Sequence, residues 1–423
     1  MNNRYYIRNA RLLDPVNGSD TIGSLYIENG RIAQVPGETA QGTVIIDAGG
    51  LCVAPGFIDI HVHFREPGGE EAESIASGCA AAAKGGFTRV VMMPNTTPPL
   101  DSAEMITATI NKAKAAGMVE ILPAGCLTQG RAGGQVADLE AMRAAGAIAF
   151  TDDGSTVPAD KVMEQAMKEA ARLDCTVMDH ALDPAIAGAG ALHDGRVAKS
   201  ANVPGIPSEA EYKIVERDIA LCRKTGCRLH IQHVSTKEAV HLLAAARQEG
   251  LPVSGEVTPH HLLLCEDDVD PADPDYKMNP PLRSAADRTA LREAVTSGII
   301  NVLATDHAPH TSQAKSRGMP AAPFGITGLE TAIGITYTVL VSDGTMTLLD
   351  WVRAWTVNPA QVIGIAPASL QPGQPAILTA FNPGTVWTVS KNRMVSKSSN
   401  MPYAGIRLTG KPAWTFYDNR LIE

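Results

Sequence analysis

The sequence predicts an α/β protein, a (β/α)8 TIM barrel with a small β-sandwich domain built from both chain ends. Eight short apolar runs alternate with Ala-rich helical segments between residues 57 and 309, which is typical of a parallel sheet. Eight strand–helix units over about 250 residues match the size of a closed barrel. Strand-like segments precede and follow these units. We therefore expect residues 1–54 and 366–423 to form the small β domain and residues 55–365 to form the barrel.

The composition indicates a globular enzyme of a reducing compartment. Of the 423 residues, 44% are hydrophobic and 19% are charged. The chain has 36 Lys and Arg against 45 Asp and Glu, a net charge of -9, whereas nucleic-acid and membrane surfaces need clustered positive charge. The seven cysteines form no CxxC pair, so we expect free thiols. The N-terminal segment lacks the apolar core of a signal peptide and no run could cross a bilayer, which predicts a cytoplasmic protein.

The N-terminal strands are predicted from three short segments, 5–13 (YYIRNARLL), 24–35 (SLYIENGRIAQV) and 43–55 (TVIIDAGGLCVAP). The second contains Asn29-Gly30, a strong signal for a tight β-hairpin turn. After the barrel, we expect strands to return in 376–390, 393–399 and 405–423. Segments from both ends can pair into one small domain.

The barrel elements are predicted from the change in sequence pattern after Gly56, where short apolar runs begin to alternate with Ala-rich segments. The predicted strands are 57–64, 89–95, 120–128, 147–153, 176–181, 228–235, 252–259 and 300–309. The clearest predicted helices are 71–86, 102–117, 160–174, 209–226 and 237–250. Several of these helical segments end in Gly, a common signal for a helix C-terminus.

The first barrel strand ends in a histidine pair, His61 and His63, with Arg65 just beyond it. Strand side chains alternate between faces, so the two imidazoles point the same way. In this fold the catalytic groups lie at the C-terminal ends of the strands. A His-X-His pair at that end forms a two-nitrogen clamp for a borderline divalent metal such as zinc, which neutral imidazole suits.

Further ligand-type residues end other predicted strands. They are Asp152 and Asp153 on the fourth run, His180 on the fifth, His233 on the sixth and Asp306 on the eighth. A single strand histidine is usually a hydrogen-bonded core residue, but six candidate ligands from five strands at one end favour a metal site. Four imidazoles and two carboxylates exceed one tetrahedral zinc, which favours two ions bridged by a carboxylate and a hydroxide. Strand alternation does not separate Asp152 from Asp153 as the ligand.

One histidine is assigned away from this site. His230 lies three residues before His233, so alternation predicts that it faces the opposite side and has a structural role. Residues 311–323, TSQAKSRGMPAAP, are polar with Gly, Pro and Ala. We interpret them as a flexible loop beside the barrel mouth that orders over substrate.

Several motifs together resemble the amidohydrolase superfamily and, within it, the type I dihydroorotases. The most specific are HVHFREPG (61–68), FTDDGS (150–155), MNPPLR (278–283), TDHAPH (305–310) and PFGITGLET (323–331). The resemblance implies reversible cyclisation of N-carbamoyl-L-aspartate to (S)-dihydroorotate, a step of de novo pyrimidine (UMP) biosynthesis. It also implies a zinc enzyme with one or two ions per subunit, two being favoured.

The resemblance also implies residue roles. The metal ligands are His61, His63, Asp153, His180, His233 and Asp306. Relatives such as hydantoinases place a carboxylated lysine on strand four; FTDDGS has none, so Asp153 takes the bridging position. Asp306 is the general acid/base that serves the attack of a metal-held hydroxide on the ring carbonyl. The substrate contacts are Arg65, Asn95, Asn279, His310, Pro323, Phe324 and Gly325.

Two other functions compete with this one. Another cyclic amidase, of the hydantoinase or allantoinase type, would lack the carboxylate-binding set of Arg65, Asn95 and His310. A dihydroorotase-like scaffold partner of aspartate transcarbamoylase would generally have lost metal ligands, and here all are present. Family analogy also suggests a homodimer.

Overall fold

The structure is a computed structural model that describes residues 4–423. Residues 1–3, which begin the predicted small domain and the segment searched for a signal peptide, lie outside the described residues. The chain starts with five strands, β1 (Arg4–Asp14), β2 (Ser19–Glu28), β3 (Arg31–Ala33), β4 (Val44–Asp47) and β5 (Cys52–Pro55). The predicted Asn29-Gly30 turn joins β2 to β3, and both residues have positive φ angles.

Ten strands follow. They are β6 (Phe57–Val62), β7 (Phe87–Met92), β8 (Glu120–Pro123), β9 (Ala149–Phe150), β10 (Thr176–Asp179), β11 (Leu192–His193), β12 (Gly205–Ile206), β13 (Arg228–Ile231), β14 (Val253–Val257) and β15 (Val302–Leu303). Strands β11 and β12 pair only with each other, in an insertion between β10 and β13. The other eight correspond to the eight predicted runs.

These eight strands close into a parallel barrel. One sheet has the order β6-β7-β8 and another the order β9-β10-β13-β14-β15. Parallel bridges join the two sheets at both seams, Gly125 with Phe150 and Val62 with His307. The predicted (β/α)8 barrel is therefore confirmed, and the C-terminal ends of all eight strands open at one mouth.

Fourteen α-helices lie in the described chain. They are α1 (Ile75–Lys84), α2 (Ala103–Ala116), α3 (Leu139–Ala145), α4 (Asp160–Arg172), α5 (Pro184–Ala187), α6 (Arg196–Ala201), α7 (Glu209–Thr225), α8 (Lys237–Gln248), α9 (Pro259–Leu263), α10 (Ala285–Thr296), α11 (Ser312–Lys315), α12 (Ala332–Leu340), α13 (Leu348–Trp355) and α14 (Val357–Val362). The side chains of Ser74 and Ser102 cap the first two, and Gly117 and Gly226 end α2 and α7 in the left-handed conformation.

The small domain takes strands from both ends of the chain. Three C-terminal strands, β16 (Leu378–Thr388), β17 (Arg407–Tyr417) and β18 (Arg420–Ile422), join β5 and the N-terminal strands in one sheet of order β18-β17-β16-β5-β1-β2-β3, with β4 also paired to β1. Its apolar interior draws Ile7, Leu25 and Ile27 from one end of the chain and Leu378 and Phe416 from the other.

The predicted strand at 393–399 is wrong. The structure has a short 3-10 helix at Lys391–Arg393 and then an irregular segment that crosses towards the barrel mouth. Its backbone hydrogen bonds go to side chains instead of a neighbouring strand: Val395 N and Ser396 N both donate to the carboxylate of Glu330. The segment is anchored to the barrel rather than paired in a sheet.

The seven cysteines are free and buried, as expected. Burial raises the pKa of several of these thiols, which keeps them protonated; that of Cys126 rises furthest and that of Cys52 reaches about 11. None of the helices within residues 4–423 is long and apolar enough to cross a membrane.

Candidate metal centre and substrate cavity

The histidine pair comes from the end of β6. The pairing of β6 with β7 is irregular between Asp59 and Val62, and Asp59 Oδ1 accepts a hydrogen bond from His61 N at 3.2 Å. Beyond the strand, His63 N donates to the carbonyl of His307 at 2.8 Å, which ties the pair to the last barrel strand. The imidazole centroids of His61 and His63 lie 5.2 Å apart, and both rings are buried. The two rings thus face the same interior space.

The carboxylate of Asp153 lies at the centre of the four histidines. Its Oδ1 is 3.2 Å from His61 Nε2, 3.6 Å from His180 Nδ1 and 3.8 Å from His233 Nε2. Its Oδ2 is 3.3 Å from His63 Nε2. One carboxylate therefore reaches the histidines of three different strands, which is the position a bridging ligand requires.

Asp306 completes the cluster from the eighth strand. Its Oδ1 lies 2.9 Å from His63 Nε2 and 3.5 Å from His61 Nε2. On the other side, His180 Nδ1 and His233 Nε2 are 2.8 Å apart. The structure thus brings together all six residues that the sequence singled out as metal ligands.

These donor atoms suit a divalent cation. Each of two sets, His61 with His63 and Asp306, and His61 with Asp153 and His233, has ligand atoms within 4.8 Å of one another. Asp153 Oδ1 is buried and, although close to His61 Nε2, accepts no well-formed hydrogen bond from any described residue. A buried carboxylate oxygen without a donor is costly unless a cation satisfies it. The donor set therefore fits a metal centre.

The charges of the cluster are strongly coupled. Burial alone would raise the pKa of Asp153, but the imidazoles of His61 and His63 hold that pKa well below its usual range. Burial would likewise lower the pKa of His61, but the carboxylates of Asp153, Glu256 and Asp306 outweigh burial and raise it well above the ordinary value. Negative charge thus dominates around His61, which favours a cation there.

Only one of the two adjacent aspartates is available as a ligand. Asp152 Oδ1 accepts hydrogen bonds from Leu127 N at 2.9 Å and Thr128 N at 3.1 Å, and the Thr128 hydroxyl donates to its other oxygen. The Asp152 side chain therefore holds the loop after β8. Asp153 is the one that faces the histidines, and the loop's Arg131 donates to its carbonyl at 2.6 Å.

A buried glutamate that the sequence interpretation missed supports the cluster. Glu256 Oε1 lies 2.5 Å from His61 Nδ1 and accepts from His233 N at 3.2 Å, and Oε2 lies 3.0 Å from His230 Nε2. These imidazoles outweigh burial and lower the pKa of Glu256 to about 2. A carboxylate on the second ring nitrogen fixes the orientation of a metal-binding histidine and strengthens its basicity. The available signal was a lone acid in the middle of the apolar run 252–259.

The prediction that His230 and His233 face opposite sides is wrong. Both contact Glu256 and both lie towards the barrel interior. His233 lies just after β13 and has a φ angle of +30°, which breaks the strand alternation. Its side chain therefore turns to the inner side of the barrel. Asp306 shows the same departure with φ +48°. The contacts of His230 agree with the predicted structural role, because its ring contacts Glu256 and Ser254 and none of the six candidate metal ligands.

The cluster forms the floor of a cavity of about 370 Å³. Its walls are His63, Arg65, Asn95, Asp153, Gly154, His180, His233, Asn279, Asp306, Ala308, His310, Pro323, Phe324 and Gly325. All seven residues predicted as substrate contacts line this space. His61 lies below it, fully buried.

Arg65 is the only arginine in the wall of this cavity. Its Nε donates to the carbonyl of Pro309 at 3.1 Å, and Nη2 lies 3.4 Å from His310 Nε2. Burial lowers the pKa of Arg65 to about 10, so the guanidinium stays charged at neutral pH. A charged guanidinium held against a buried wall is suited to bind an anionic group.

Two asparagines of the wall also touch ligand-type histidines. Asn95 Oδ1 lies 2.9 Å from His63 Nδ1, and Asn279 Nδ2 lies 3.2 Å from His180 Nε2. Asn279 Oδ1 is buried without a hydrogen-bond partner among the described residues. This free acceptor at the cavity suits an N–H group of a bound amide.

The segment 311–323 is packed in this structure. It contains the short helix α11, and Lys315 at the end of that helix is buried. Residues 311–323, which were predicted to be a flexible loop, are therefore already folded beside the cavity in this structure.

A closed parallel barrel with histidines and aspartates at its mouth, joined to a sheet from both chain ends, defines the amidohydrolase class. The solved structures that resemble the chain agree. L-hydantoinase (dihydropyrimidinase) from Arthrobacter aurescens has a TM-score of 0.87 at 25% identity, covering 99% of this chain and 95% of that one. D-hydantoinase from Thermus sp. has a TM-score of 0.84 at 23% identity, covering 99% and 94%.

Sequence relatives narrow the class further. The family model described as Dihydro-orotase-like matches residues 50–239. A dihydroorotase of Geobacillus thermodenitrificans is 44% identical over 409 residues, 96% of each chain. A dihydroorotase of Bacillus licheniformis is 41% identical over 419 residues, 99% of this chain and 98% of its own. The chain belongs to the dihydroorotase family.

Proposed function

We propose that the chain is a dihydroorotase, which interconverts N-carbamoyl-L-aspartate and dihydroorotate in pyrimidine biosynthesis. The observation that carries the proposal is that a partly buried arginine, Arg65, shares one cavity with the histidine–aspartate cluster. The substrate is a cyclic amide that carries a carboxylate, so it needs a cationic contact beside the reacting carbonyl. The sequence identity to dihydroorotases, which extends over nearly the whole chain, supports dihydroorotate as the substrate.

We propose a zinc centre, with two ions favoured. His61, His63, Asp153, His180, His233 and Asp306 would hold the ions, and the position of the Asp153 carboxylate among all four histidines supports a shared ligand there. When bound, zinc supplies Lewis acidity, which lowers the pKa of water to about 7 and polarises a carbonyl. Glu256, which contacts His61 Nδ1, would orient the His61 ring so that Nε2 faces the ion.

The proposed role of the cavity wall is to orient the substrate. The guanidinium of Arg65 pairs with the substrate carboxylate, with Asn95 and His310 beside it. Burial and the charge of Arg65 lower the pKa of His310 to about 3, so His310 stays neutral and acts as a hydrogen-bonding group. Asn279 Oδ1, which lacks a partner among the described residues, accepts the ring N–H. These contacts direct the ring amide towards the cluster.

Asp306 is proposed to move the proton. It lines the cavity and lies beside the histidines, where the attacking water and the ring nitrogen would be placed by the proposed contacts. In ring opening, the water oxygen bonds to the carbonyl carbon and its proton passes to Asp306. The carbon–nitrogen bond then breaks, and Asp306 returns the proton to the departing nitrogen. Ring closure is the reverse sequence.

The test is a substrate panel with metal analysis. The purified protein is assayed with dihydroorotate, hydantoin and allantoin at equal concentrations, and its zinc content is measured. We expect dihydroorotate to be turned over in preference, and Arg65→Gln to lose that reaction while it retains zinc. Preferred turnover of hydantoin or allantoin would instead support the related cyclic-amidase function, and full zinc without any turnover would support a scaffold role.

The remaining proposals concern the context of the enzyme. We propose that residues 55–365 form the catalytic unit, that the protein is cytoplasmic, and that it forms a homodimer. A complex with aspartate transcarbamoylase is an alternative assembly. Size-exclusion chromatography of the protein alone and mixed with that enzyme distinguishes the two, since only the second assembly would change elution on mixing.

A further inference from the structure

We infer that Asn400 and Lys315, neither of which lines the cavity, are positioning residues that together set the substrate-binding turn at 323–325. The inference rests on the proposed function, because it concerns the wall that would bind the substrate carboxylate. It assigns a part of the active site to the C-terminal segment outside the barrel.

The turn and His310 fit against each other closely. His310 Nε2 donates to the carbonyl of Phe324 at 2.7 Å. Gly325 has φ +143°, and a Cβ atom there would lie 2.9 Å from His310 Cδ2 and 2.7 Å from the carbonyl oxygen of Ala308. Only glycine allows this approach, so a small shift of the turn must also shift the imidazole beside Arg65.

Asn400 links both sides of this contact. Its Oδ1 accepts from His310 N at 3.0 Å, and its Nδ2 donates to the carbonyls of Ala308 at 3.1 Å and Gly325 at 3.0 Å. Its own carbonyl accepts from Thr327 N at 3.0 Å. The side chain is buried, and its amide acts as acceptor for one segment and as donor for both, which a residue without a side-chain amide would not reproduce.

Lys315 holds the same turn from the other side. Its Nζ donates to the carbonyls of Lys277 at 3.1 Å, Pro323 at 3.2 Å and Gly325 at 3.0 Å. A buried ammonium requires such acceptors, and all three of its protons are used here. The carbonyl of Gly325 is therefore shared by Lys315 and Asn400, which couples the two side chains.

The segment that carries Asn400 is itself fixed to the barrel. Glu330 accepts from Val395 N at 2.9 Å, and the Ser398 hydroxyl donates to the carbonyl of Ala72 at 2.8 Å. The irregular stretch before β17 thus reaches the barrel mouth along a defined path. Its anchoring explains how a residue near the C-terminus can determine the geometry of a cavity wall.

The test uses Asn400→Ala and Lys315→Met, with the full chain loaded with zinc. Each change removes donors from the Gly325 carbonyl, so we expect KM for dihydroorotate and Kd for orotate, its planar analogue, to rise about 10-fold. We expect kcat to change less than about threefold and zinc content to stay the same, because the ligand cluster is untouched. The double variant should be less than additive, since both side chains brace one carbonyl.

Asn358→Ala is the matched control. Asn358 Nδ2 donates to the carbonyl of Asn301 at 2.6 Å, at the opposite end of the barrel, so its loss should leave KM unchanged. Should Asn400→Ala fail to fold, Lys315→Met decides the question. Unchanged KM and Kd in a folded variant, or a fall in kcat alone, would overturn the inference. If the wild type itself fails to turn over dihydroorotate, the proposed function fails instead.

Discussion

The two ends of the barrel are built from the same eight strands but follow opposite chemistry. Below the mouth, the interior holds apolar side chains from β6, β7, β8, β9, β10 and β15, or from the residue just after these strands, and from α14 and its end; they are Ile58, Ile60, Val91, Met93, Ala124, Ala149, Met178, Val302, Ala304, Ala360, Val362 and Ile363. The C-terminal end encloses imidazoles and carboxylates. The comparison teaches that the apolar interior contributes stability through burial, whereas the mouth holds buried carboxylates and imidazoles that a bound cation would stabilise.

The largest expected effect is at the mouth. Asp306→Ala should lower kcat for dihydroorotate by about 100- to 10,000-fold, because it removes the residue proposed both to carry the proton and to help hold the ion. The melting temperature should hardly fall, since the apolar end is untouched. Steady-state kinetics and a thermal melt check this. A variant that unfolds in parallel with its loss of activity would break the comparison.

The opposite result is expected at the apolar end. Ile58→Ala leaves a cavity among buried side chains, which should lower the free energy of unfolding by about 2 to 5 kcal/mol. The kcat of the molecules that remain folded should be unchanged. Denaturant unfolding gives the first quantity and active-site titration the second. A selective loss of kcat here would show that the two ends are not independent.

A smaller effect is expected when the carboxylate that supports the histidine–aspartate cluster, Glu256, is neutralised. Glu256→Gln keeps the shape of the side chain but removes the charge beside His61 and His230. Zinc affinity should fall about 10- to 100-fold, because the second ring nitrogen of His61 loses its carboxylate. Competition with a chromogenic chelator measures this. Wild-type zinc affinity would show that Glu256 has only a packing role.

The smallest effect is expected for charge on the outer surface. Glu164 pairs with Lys168 and Lys224 at 2.7 Å each, and these lysines lower its pKa to about 2. All three side chains border solvent, where such pairs contribute little. Lys168→Ala should therefore leave kcat, KM and zinc content unchanged. This variant is the control that separates buried charge at the mouth from charge in general.

Much of the fold was predictable because burial leaves a local pattern. The runs 57–64 and 89–95 alternate with Ala-rich helices, and these strands and helices are present in the structure. Residues 393–399 were predicted as a strand but form none, and the backbone N–H groups of Val395 and Ser396 donate to Glu330 instead. A sequence window does not show which partner a backbone group will find.

The site was predictable to a similar depth. Five of the six ligand-type residues could be chosen from the ends of strands, but strand alternation did not decide between Asp152 and Asp153 as the sixth. The Asp152 carboxylate accepts hydrogen bonds from Thr128 in the loop after β8, a contact between residues 24 positions apart in the chain. The inward position of His230 was also hidden, because the positive φ angle of His233 breaks the strand alternation on which the prediction depended.

The sequence by itself determined the parallel barrel, the sheet from both chain ends and the set of candidate metal ligands, because periodicity and residue chemistry are local properties. Only the tertiary structure decided how Glu256, Lys315 and Asn400 serve the site. Their partners lie on distant segments: Glu256 meets His61 across 195 residues and Asn400 meets His310 across 90. Hydrogen bonds of buried groups are satisfied in three dimensions, so their pairing exists only in the folded chain.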